Sequence, residues 1–540
     1  GESAIKGVKT LITYAKNQML TPEELEKLRV DGKPFANIYQ GYCNAFRQNQ
    51  WMDFDDQMVY ALMILRKYPG ILEYFQEKYH YISVDEAQDT SKIQHEIIRI
   101  LASKYQNLFM VGDEDQSIYG FRAAYPQALM EFETVYPNGN ALLMEENYRS
   151  HGAIVDAANR FIRLNKNRYD KTMATVAEKG VSLERLWVQT RQNQYEKLAE
   201  IAESVQENTA ILYRDNDSAL PLIDLFLKRE IPYVARQVEC GFFTHFIVRD
   251  LLNILKFAFF PNDGDAFLGI YYKLGCGISK TSAMAAIHQR GNILGNLQSA
   301  ESTPPWVRGK VVALQEQFQA LKQETAQRAI HRVRVFMGYD DHLKERNVDG
   351  SRADILEALA TDVEHPLELE AKLAQLRSAV EQGSGHGRGI ILSTIHSSKG
   401  LEYDRVILMD VFDGNFPKED MEEDELEEER RLFYVGMTRA KSCLQLVAYK
   451  KSGLESTFVQ FLFPPKNYGS PALPTVNAVD DRWKIVADGA TVGTNIHHTS
   501  FGNGTIIGRD GFIITVRFEG NMETRFHVEV AAKNGCLNVL

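Results

Sequence analysis

Apolar residues gather along this chain into short blocks that end abruptly in charge. Tyr81-Ile82-Ser83-Val84 closes on Asp85-Glu86-Ala87-Gln88-Asp89, and Leu108-Phe109-Met110-Val111 runs through Gly112-Asp113 into Glu114-Asp115-Gln116. Ala141–Met144 leads to Glu145-Glu146-Asn147-Tyr148-Arg149-Ser150, Ala210–Tyr213 to Arg214-Asp215-Asn216, and Ile390-Ile391-Leu392-Ser393 to Thr394-Ile395-His396. Short apolar runs bounded by polar turns predict buried strands, and helical spacing at about 92–103 predicts a connecting helix. That alternation is the mark of an α/β protein. Strands of an open sheet present whatever follows them at its ligand-binding edge, so the charged endings are the candidate functional residues.

Elsewhere the pattern changes. Residues 1–50 read as helices broken at Thr21-Pro22, a cap with proline at the first helical position, and at Asp31-Gly32-Lys33-Pro34. Met52-Asp53-Phe54-Asp55-Asp56-Gln57 opens an apolar helix ending near Tyr68-Pro69-Gly70, its acids suited to the positive end of the helix dipole. Ile231-Pro232-Tyr233 begins a further strand, and residues 245–385 carry mostly helical spacing. Gln382–Gly389 is a flexible linker by composition and lacks the Gly-Lys-Ser/Thr ending of a phosphate loop. The acidic run 419–429 reads as a solvated loop and helix start. Residues 464–488, with prolines and small polar residues, read as a linker. Beyond them, short alternating strands with turns at Asp510-Gly511 and Gly520-Asn521 predict a small β-barrel.

Composition narrows the class. A chain of 540 residues is long enough for roughly three to four domains. Its 44% hydrophobic and 25% charged content is that of an ordinary globular protein. The net charge of −11 gives no overall basic footprint for nucleic acid, though a local basic channel is compatible with it. The five cysteines (Cys43, Cys240, Cys276, Cys443, Cys536) are scattered without a CxxC pair, which predicts a reduced, cytoplasmic protein without structural zinc. No apolar run approaches the roughly 18 residues of a membrane span.

The charged endings suggest phosphoryl chemistry. Asp85 can hold Mg²⁺ through water and Glu86 can orient a water for attack. Gln116 has the reach and amide to sense a γ-phosphate or its attacking water. Tyr119 and Phe121 flank Gly120 in a loop, which suits either stacking platforms for unpaired bases or core aromatics. Arg149 carries the planar fork that matches phosphate oxygens.

Taken with their neighbours, these residues form a family pattern. Val84-Asp85-Glu86-Ala87-Gln88-Asp89 resembles the Walker B box of superfamily 1 DNA helicases of the UvrD/PcrA/Rep type. The run from Gly112 to Ala124 resembles motif III, Glu145–Ser150 the motif after it, Ile390–Glu402 motif V, and Glu429-Arg430-Arg431-Leu432-Phe433-Tyr434-Val435-Gly436-Met437-Thr438-Arg439-Ala440 motif VI. The last fifty residues resemble the Tudor/SH3-like tail of the UvrD/PcrA branch.

The resemblance implies two RecA-like P-loop NTPase lobes with helical inserts and a C-terminal SH3/Tudor-like β-barrel. Its divisions would be 1–50, part of the first helical insert; 51–149, first lobe; 150–244 and 388–463, second lobe; 245–387, second insert; 464–488, linker; 489–540, barrel. It implies an ATP- and Mg²⁺-dependent 3′→5′ helicase of DNA repair and replication, working on single strands and single-/double-strand junctions. In that scheme Tyr148 packs on adenine, Arg149 and, from a helix, Arg439 reach the γ-phosphate, and Glu402 meets the nucleotide sugar. Phe121 stacks a base, while Asn216, Thr394 and His396 contact DNA. RNA polymerase is the implied partner of the barrel, with Phe512 and Phe518 as docking candidates. Gly275-Cys276-Gly277-Ile278 departs from the family's duplex-gripping turn, lacking its arginine.

One family part is missing: no Gly-x-x-x-x-Gly-Lys-Ser/Thr occurs in the chain. The expectation is therefore an N-terminally truncated helicase, hydrolysing ATP poorly by itself. The alternative is a non-catalytic DNA- or protein-binding scaffold. A helicase–nuclease subunit would want a nuclease domain after motif VI, where only the barrel pattern stands.

Overall fold

The computed structural model describes residues 2–30, 32–177, 183–205, 207–235, 241–301, 303–346, 348–382, 389–450, 455–464, 489–498, 502–511, 513–518, 523–528 and 537–539. The chain separates into two compact units, Gly1–Phe463 and Pro464–Leu540.

The larger unit begins with helices. Thr21 caps Pro22–Lys27 in a reciprocal box with Glu24, as the Thr-Pro pattern predicts. A small antiparallel hairpin follows, β1 (Arg29–Val30) and β2 (Lys33–Pro34). Asp53 caps Phe54–Lys67, and Lys16 reaches that acidic start, 2.6 Å from Asp53 and 2.7 Å from Asp56. The acids of this run are thus a pinned helix start.

β3 (Ile82–Val84) and β4 (Leu108–Met110) pair in parallel, Ile82 opposite Leu108, with Lys92–Ala102 connecting them. This first lobe differs from expectation in two ways. β4 is not buried: Phe109 is 65% exposed. Ala141–Met144 forms no strand, and Leu142 is 88% exposed. A strand is defined by a neighbour to bond with, and these apolar residues have none among the described residues.

The second lobe is built on six parallel strands: β5 (Leu183–Val188), β6 (Thr209–Tyr213), β7 (Tyr233–Ala235), β8 (Ile390–Thr394), β9 (Tyr403–Leu408) and β10 (Ala440–Tyr449). They lie in the order β5-β10-β9-β6-β8-β7, as fits a RecA-like helicase fold. All five residues of β6 are buried, because helices cover both faces. Period-2 alternation sorts them. Ile211 and Tyr213 join a core with Leu222, Ile223 and Phe226, while Ala210 and Leu212 face Ile154, Phe161 and Phe433. Phe161 meets Phe433 and Phe458 with ring centroids 5.0 Å from each. Each such buried ring contributes roughly 1.5–3 kcal/mol.

Helices from Phe246–Phe259 to Glu368–Gln382 form the insert between β7 and β8 and share the first of these cores. Within it Asp250 is buried, 2.6 Å from Lys273 and accepting from the Tyr339 hydroxyl at 3.0 Å. The Glu423–Met437 helix opens with exposed acids, but its inner Glu427 and Glu429 are buried, so the acidic run is solvated only in its first part. Residues 383–388 of the predicted linker Gln382–Gly389 lie outside the described residues, as does Cys240.

In the smaller unit, β11 (Asn495–His498), β12 (Gly502–Asp510), β13 (Ile513–Phe518), β14 (Glu523–His527) and β15 (Leu537–Val539) form an antiparallel sheet in the order β14-β13-β12-β11-β15. Gly511, at φ +57°, turns β12 into β13 as Asp510-Gly511 predicts. Phe518 points into a core with Ile496, Ile506, Ile514 and Val516, which removes it as an exposed docking residue. Gly504 is required there, since a Cβ would lie 2.7 Å from the Phe518 ring. Phe512, the Gly520-Asn521 turn, Cys536 and most of 464–488 fall outside the described residues.

Candidate nucleotide and strand site

The site starts where β3 stops. Asp85 and Glu86 follow directly and are exposed, Glu86 at φ +48° with its N–H donating to Asp85 Oδ1 at 2.9 Å. This left-handed step swings the second carboxylate off the line of the strand. Gln88 is fully buried and ties the turn together: its amide donates to Glu86, and its Oε1 accepts from Asp113 N–H at 3.0 Å. Gly112 makes room for it, since a Cβ there would sit 2.5 Å from that oxygen. Two exposed neighbouring carboxylates suit a hydrated Mg²⁺. The carboxylates of Asp113, Glu114 and Asp115 also lie within 4.8 Å of one another, but Lys171 and Arg168 already neutralise them.

Opposite stand groups from the second lobe. The Lys399 ammonium donates to Asp89 Oδ2 at 2.6 Å and Gln116 O at 2.7 Å, and lies 3.9 Å from Glu86. Burial still raises the Asp89 carboxyl above its ordinary pKa, against the pull of Lys399. Gln116 donates to Asp113 Oδ2 at 2.7 Å and accepts from Arg439 Nη2 at 3.2 Å.

Arg439 is 2% exposed. It sits past the end of the Glu423–Met437 helix and before β10, not on a helix as the sequence suggested. Its fork donates to Val435 O, Leu401 O and Thr438 Oγ1 at 3.0–3.2 Å, so neutral oxygens are its hydrogen-bond partners. Burial, helped by the charge of Arg149, pushes its pKa down to about 10. A cation in that state favours an arriving anion.

Arg149 donates to Glu402 Oε2 at 2.8 Å, and Lys441 lies 2.7 Å from the other oxygen. Lys441 and Arg149 hold the Glu402 carboxyl down to about 2. Tyr148 is 76% exposed, its hydroxyl donating to Glu146.

A second cluster lies along the same first-lobe segment. Tyr119 donates to His396 O at 3.3 Å, and the His396 ring lies 5.7 Å from Phe121 and 6.0 Å from Tyr119. Arg122 stacks over both aromatics, 5.3 and 5.5 Å from their centroids. Phe121 is 49% exposed, whereas Tyr119 is packed against the second-lobe core. Burial and the nearby Arg214 push His396 down to about 4, so it is neutral near pH 7. Thr394 is buried, its hydroxyl donating to Ser397 Oγ and accepting from Ser397 N–H. Asn216 opens a short turn after β6, and its buried Oδ1 has no hydrogen-bond partner among the described residues.

The model of the UvrD/REP helicase N-terminal domain matches residues 3–137, and that of the UvrD-like helicase C-terminal domain matches 142–333 and 307–451. The chain belongs to the UvrD-like helicase family. It is 31% identical over 470 residues to the ATP-dependent DNA helicase PcrA of Staphylococcus aureus strain Mu50, covering 81% of this chain and 64% of that protein. PcrA of Staphylococcus epidermidis strain RP62A is 31% identical over 469 residues, with the same coverage. The chain thus spans just under two thirds of these relatives' length.

For a UvrD-like chain, the structure adds residues that sequence reading passed over. Lys399 stands inside the motif V run and bridges the lobes. Glu429 holds Arg214 with two bonds of 2.6 and 3.0 Å, and Glu428 accepts from Gly120 N–H at 3.0 Å. A charged residue inside a dense motif was the available signal for Lys399 and Glu429, while Glu428 stands one position before the motif VI run. No helix among the described residues is long and apolar enough to cross a membrane.

Proposed function

We propose that this protein is an ATP-driven 3′→5′ DNA helicase of the UvrD/PcrA kind, moving on single strands and at single-/double-strand junctions in cytoplasmic DNA repair and replication. One observation carries the reading: Arg439, a buried cation hydrogen-bonded to neutral oxygens, faces Gln116 across the lobes. A γ-phosphate supplies the missing anion, and phosphoryl transfer is mostly positioning plus charge neutralisation. Glu86 then orients the water, and Gln116, Arg149 and Arg439 hold the phosphate. Tyr148 packs on adenine and Glu402 takes the sugar. Asp85 would hold Mg²⁺, which would supply charge neutralisation on the phosphates. Phe121 and Tyr119 present the face for unpaired bases, with His396, Asn216 and Thr394 along the strand. The domain divisions set out from the sequence go with this reading, including a barrel at 489–540 that docks RNA polymerase.

In this reading the phosphate loop, which these 540 residues lack, is supplied from outside them. Among the described residues β3 and β4 pair only with each other, and Phe109, Leu142 and Met144 are exposed. A non-catalytic scaffold is the competing reading, favoured by the missing Gly-x-x-x-x-Gly-Lys-Ser/Thr. The test is DNA-stimulated ATP hydrolysis by this chain and by the protein extended with the sequence encoded upstream. The expected result is poor turnover from the chain alone and about 1 per second or more from the extended form. Silence from both would favour the scaffold.

A further inference from the structure

The motif VI helix carries three consecutive acids, Glu427, Glu428 and Glu429, each with a different partner. Glu427 accepts from Lys166 N–H at 2.6 Å and from Arg431 at 3.2 Å. Glu429 takes the Arg214 fork. Only Glu428 crosses to the first lobe, and it does so at Gly120, the residue between Tyr119 and Phe121.

The fit there is close. A Cβ on Gly120 would lie 2.6 and 2.7 Å from the Glu428 carboxylate oxygens and 2.9 Å from its carbon. Glycine is therefore the residue that lets the carboxylate reach the backbone. Gly120 opens the turn Gly120–Arg122, with Tyr119 just before it and Phe121 just after, so holding its N–H sets the position of both. Burial raises the Glu428 pKa, while the Gly120 N–H, Arg431 and Arg214 lower it and Glu429 raises it. The group is thus kept in a partly dry place for this one bond.

We propose that Glu428 is a positioning residue that couples strand occupancy to the nucleotide site: its carboxylate fixes the Tyr119–Gly120–Phe121 turn to the helix whose end delivers Arg439. Glu428 lies nine positions before Met437, the last residue of that helix, about 14 Å at about 1.5 Å per residue, and Arg439 follows two residues on. A helix moves as a body, so a strand that displaces the turn pulls on Glu428 and shifts Arg439 against Gln116. This rests on the function proposed above.

The test uses Glu428→Ala, Glu428→Gln and Gly120→Ala. In this 540-residue chain, oligothymidylate affinity is read by fluorescence anisotropy, amide exchange at Gly120 by mass spectrometry, and folding by melting temperature. Glu428→Ala is expected to weaken strand binding about tenfold, the worth of one hydrogen bond to a charged group, and to speed Gly120 exchange. Glu428→Gln keeps an accepting oxygen and should recover most of the loss. Gly120→Ala should match Glu428→Ala, and the double variant should be no worse than either. In the ATP-competent extended protein, the DNA concentration for half-maximal ATPase should rise about tenfold while KM for ATP moves less than about twofold, as expected of a group acting through the strand turn.

Unchanged strand affinity in Glu428→Ala overturns the proposal. So does a glutamine variant as impaired as the alanine one, because charge toward Arg214 and Arg431 would then be the working feature. A fall in melting temperature that accounts for the whole loss also overturns it. If the wild-type chain itself fails to bind oligothymidylate, the helicase reading is at fault. Gly120 exchange then decides the latch alone, and exchange unaltered by Glu428→Ala sinks it.

Discussion

Replacing Arg439 by methionine separates the cost of a buried charge from its use. The guanidinium pKa falls from the usual arginine value to about 10. A drop of about 2.5, at about 1.4 kcal/mol per unit, amounts to about 3 kcal/mol held against the charged form. Because the folded-state pKa lies below the unfolded one, that penalty is fully present below pH 10 and is relieved as pH rises through it. Against this, methionine gives up the bonds to Val435 O, Leu401 O, Thr438 Oγ1 and Gln116 Oε1, each worth about 0.5–1.5 kcal/mol. The two nearly cancel. Arg439→Met is therefore expected to change unfolding free energy by less than about 2 kcal/mol in urea titration, while turnover of the ATP-competent protein falls about 10³–10⁵-fold, as for other arginine fingers. Arg214→Met is the control, because it strands buried Glu429 and should cost about 3–5 kcal/mol. If Arg439→Met destabilises as much as Arg214→Met, or leaves hydrolysis standing, Arg439 is a structural residue and the argument fails.

Glu86→Gln in the extended protein should keep nucleotide binding, measured with a fluorescent analogue, while hydrolysis collapses; equal loss of both would make Glu86 a ligand-holding or structural residue. Phe121→Ala should weaken single-strand affinity by about 1–3 kcal/mol, with little change in melting temperature because the ring is half exposed. Lys399→Met removes the cation from Asp89, whose folded-state pKa already lies above its ordinary value and should rise further. A carboxyl of that kind binds its proton more tightly when folded, so the variant should lose stability relative to wild type as pH rises through and above the ordinary carboxylate range; parallel pH–stability curves would count against it. Deleting 489–540 from the extended protein should leave strand-stimulated ATPase intact and abolish RNA polymerase capture, and polymerase retained by the deletion variant would refute docking through this unit.

What the sequence revealed depended on whether neighbours or distant partners decide the outcome. Ile211 and Leu212 lie in a strand covered on both faces, and a continuous apolar run already says so. Ala141–Met144 has the same local character yet forms no strand, since strand formation needs a partner that local pattern does not report. Asp85 and Glu86 were legible because the strand ends where its apolar run ends. Lys399 was not, because Asp89 lies 310 residues away in sequence. Glu427 and Glu429 looked solvated for a similar reason: Lys166 and Arg214 bury them from elsewhere in the chain. Arg439 was placed on a helix by the family resemblance, but the helix ends at Met437 and β10 begins at Ala440, so Arg439 lies in the turn between them.

The segment from Asp113 to Arg122 joins both halves of the candidate site, and its rigidity matters more than its stability. Lys171 and Arg168 grip its acids at one end, Lys399 and Arg439 hold Gln116, and Glu428 holds Gly120. Buried ion pairs of this sort stabilise little once desolvation is counted, so their effect is to specify position. A segment fixed at so many points cannot absorb a displacement locally. Whatever moves Phe121 is therefore felt at Gln116, only five residues earlier, and at the second-lobe groups that hold it. Soft side chains at Gln116 or Gly120 would let the strand face and the phosphate face move independently, and strand binding would then leave hydrolysis untouched.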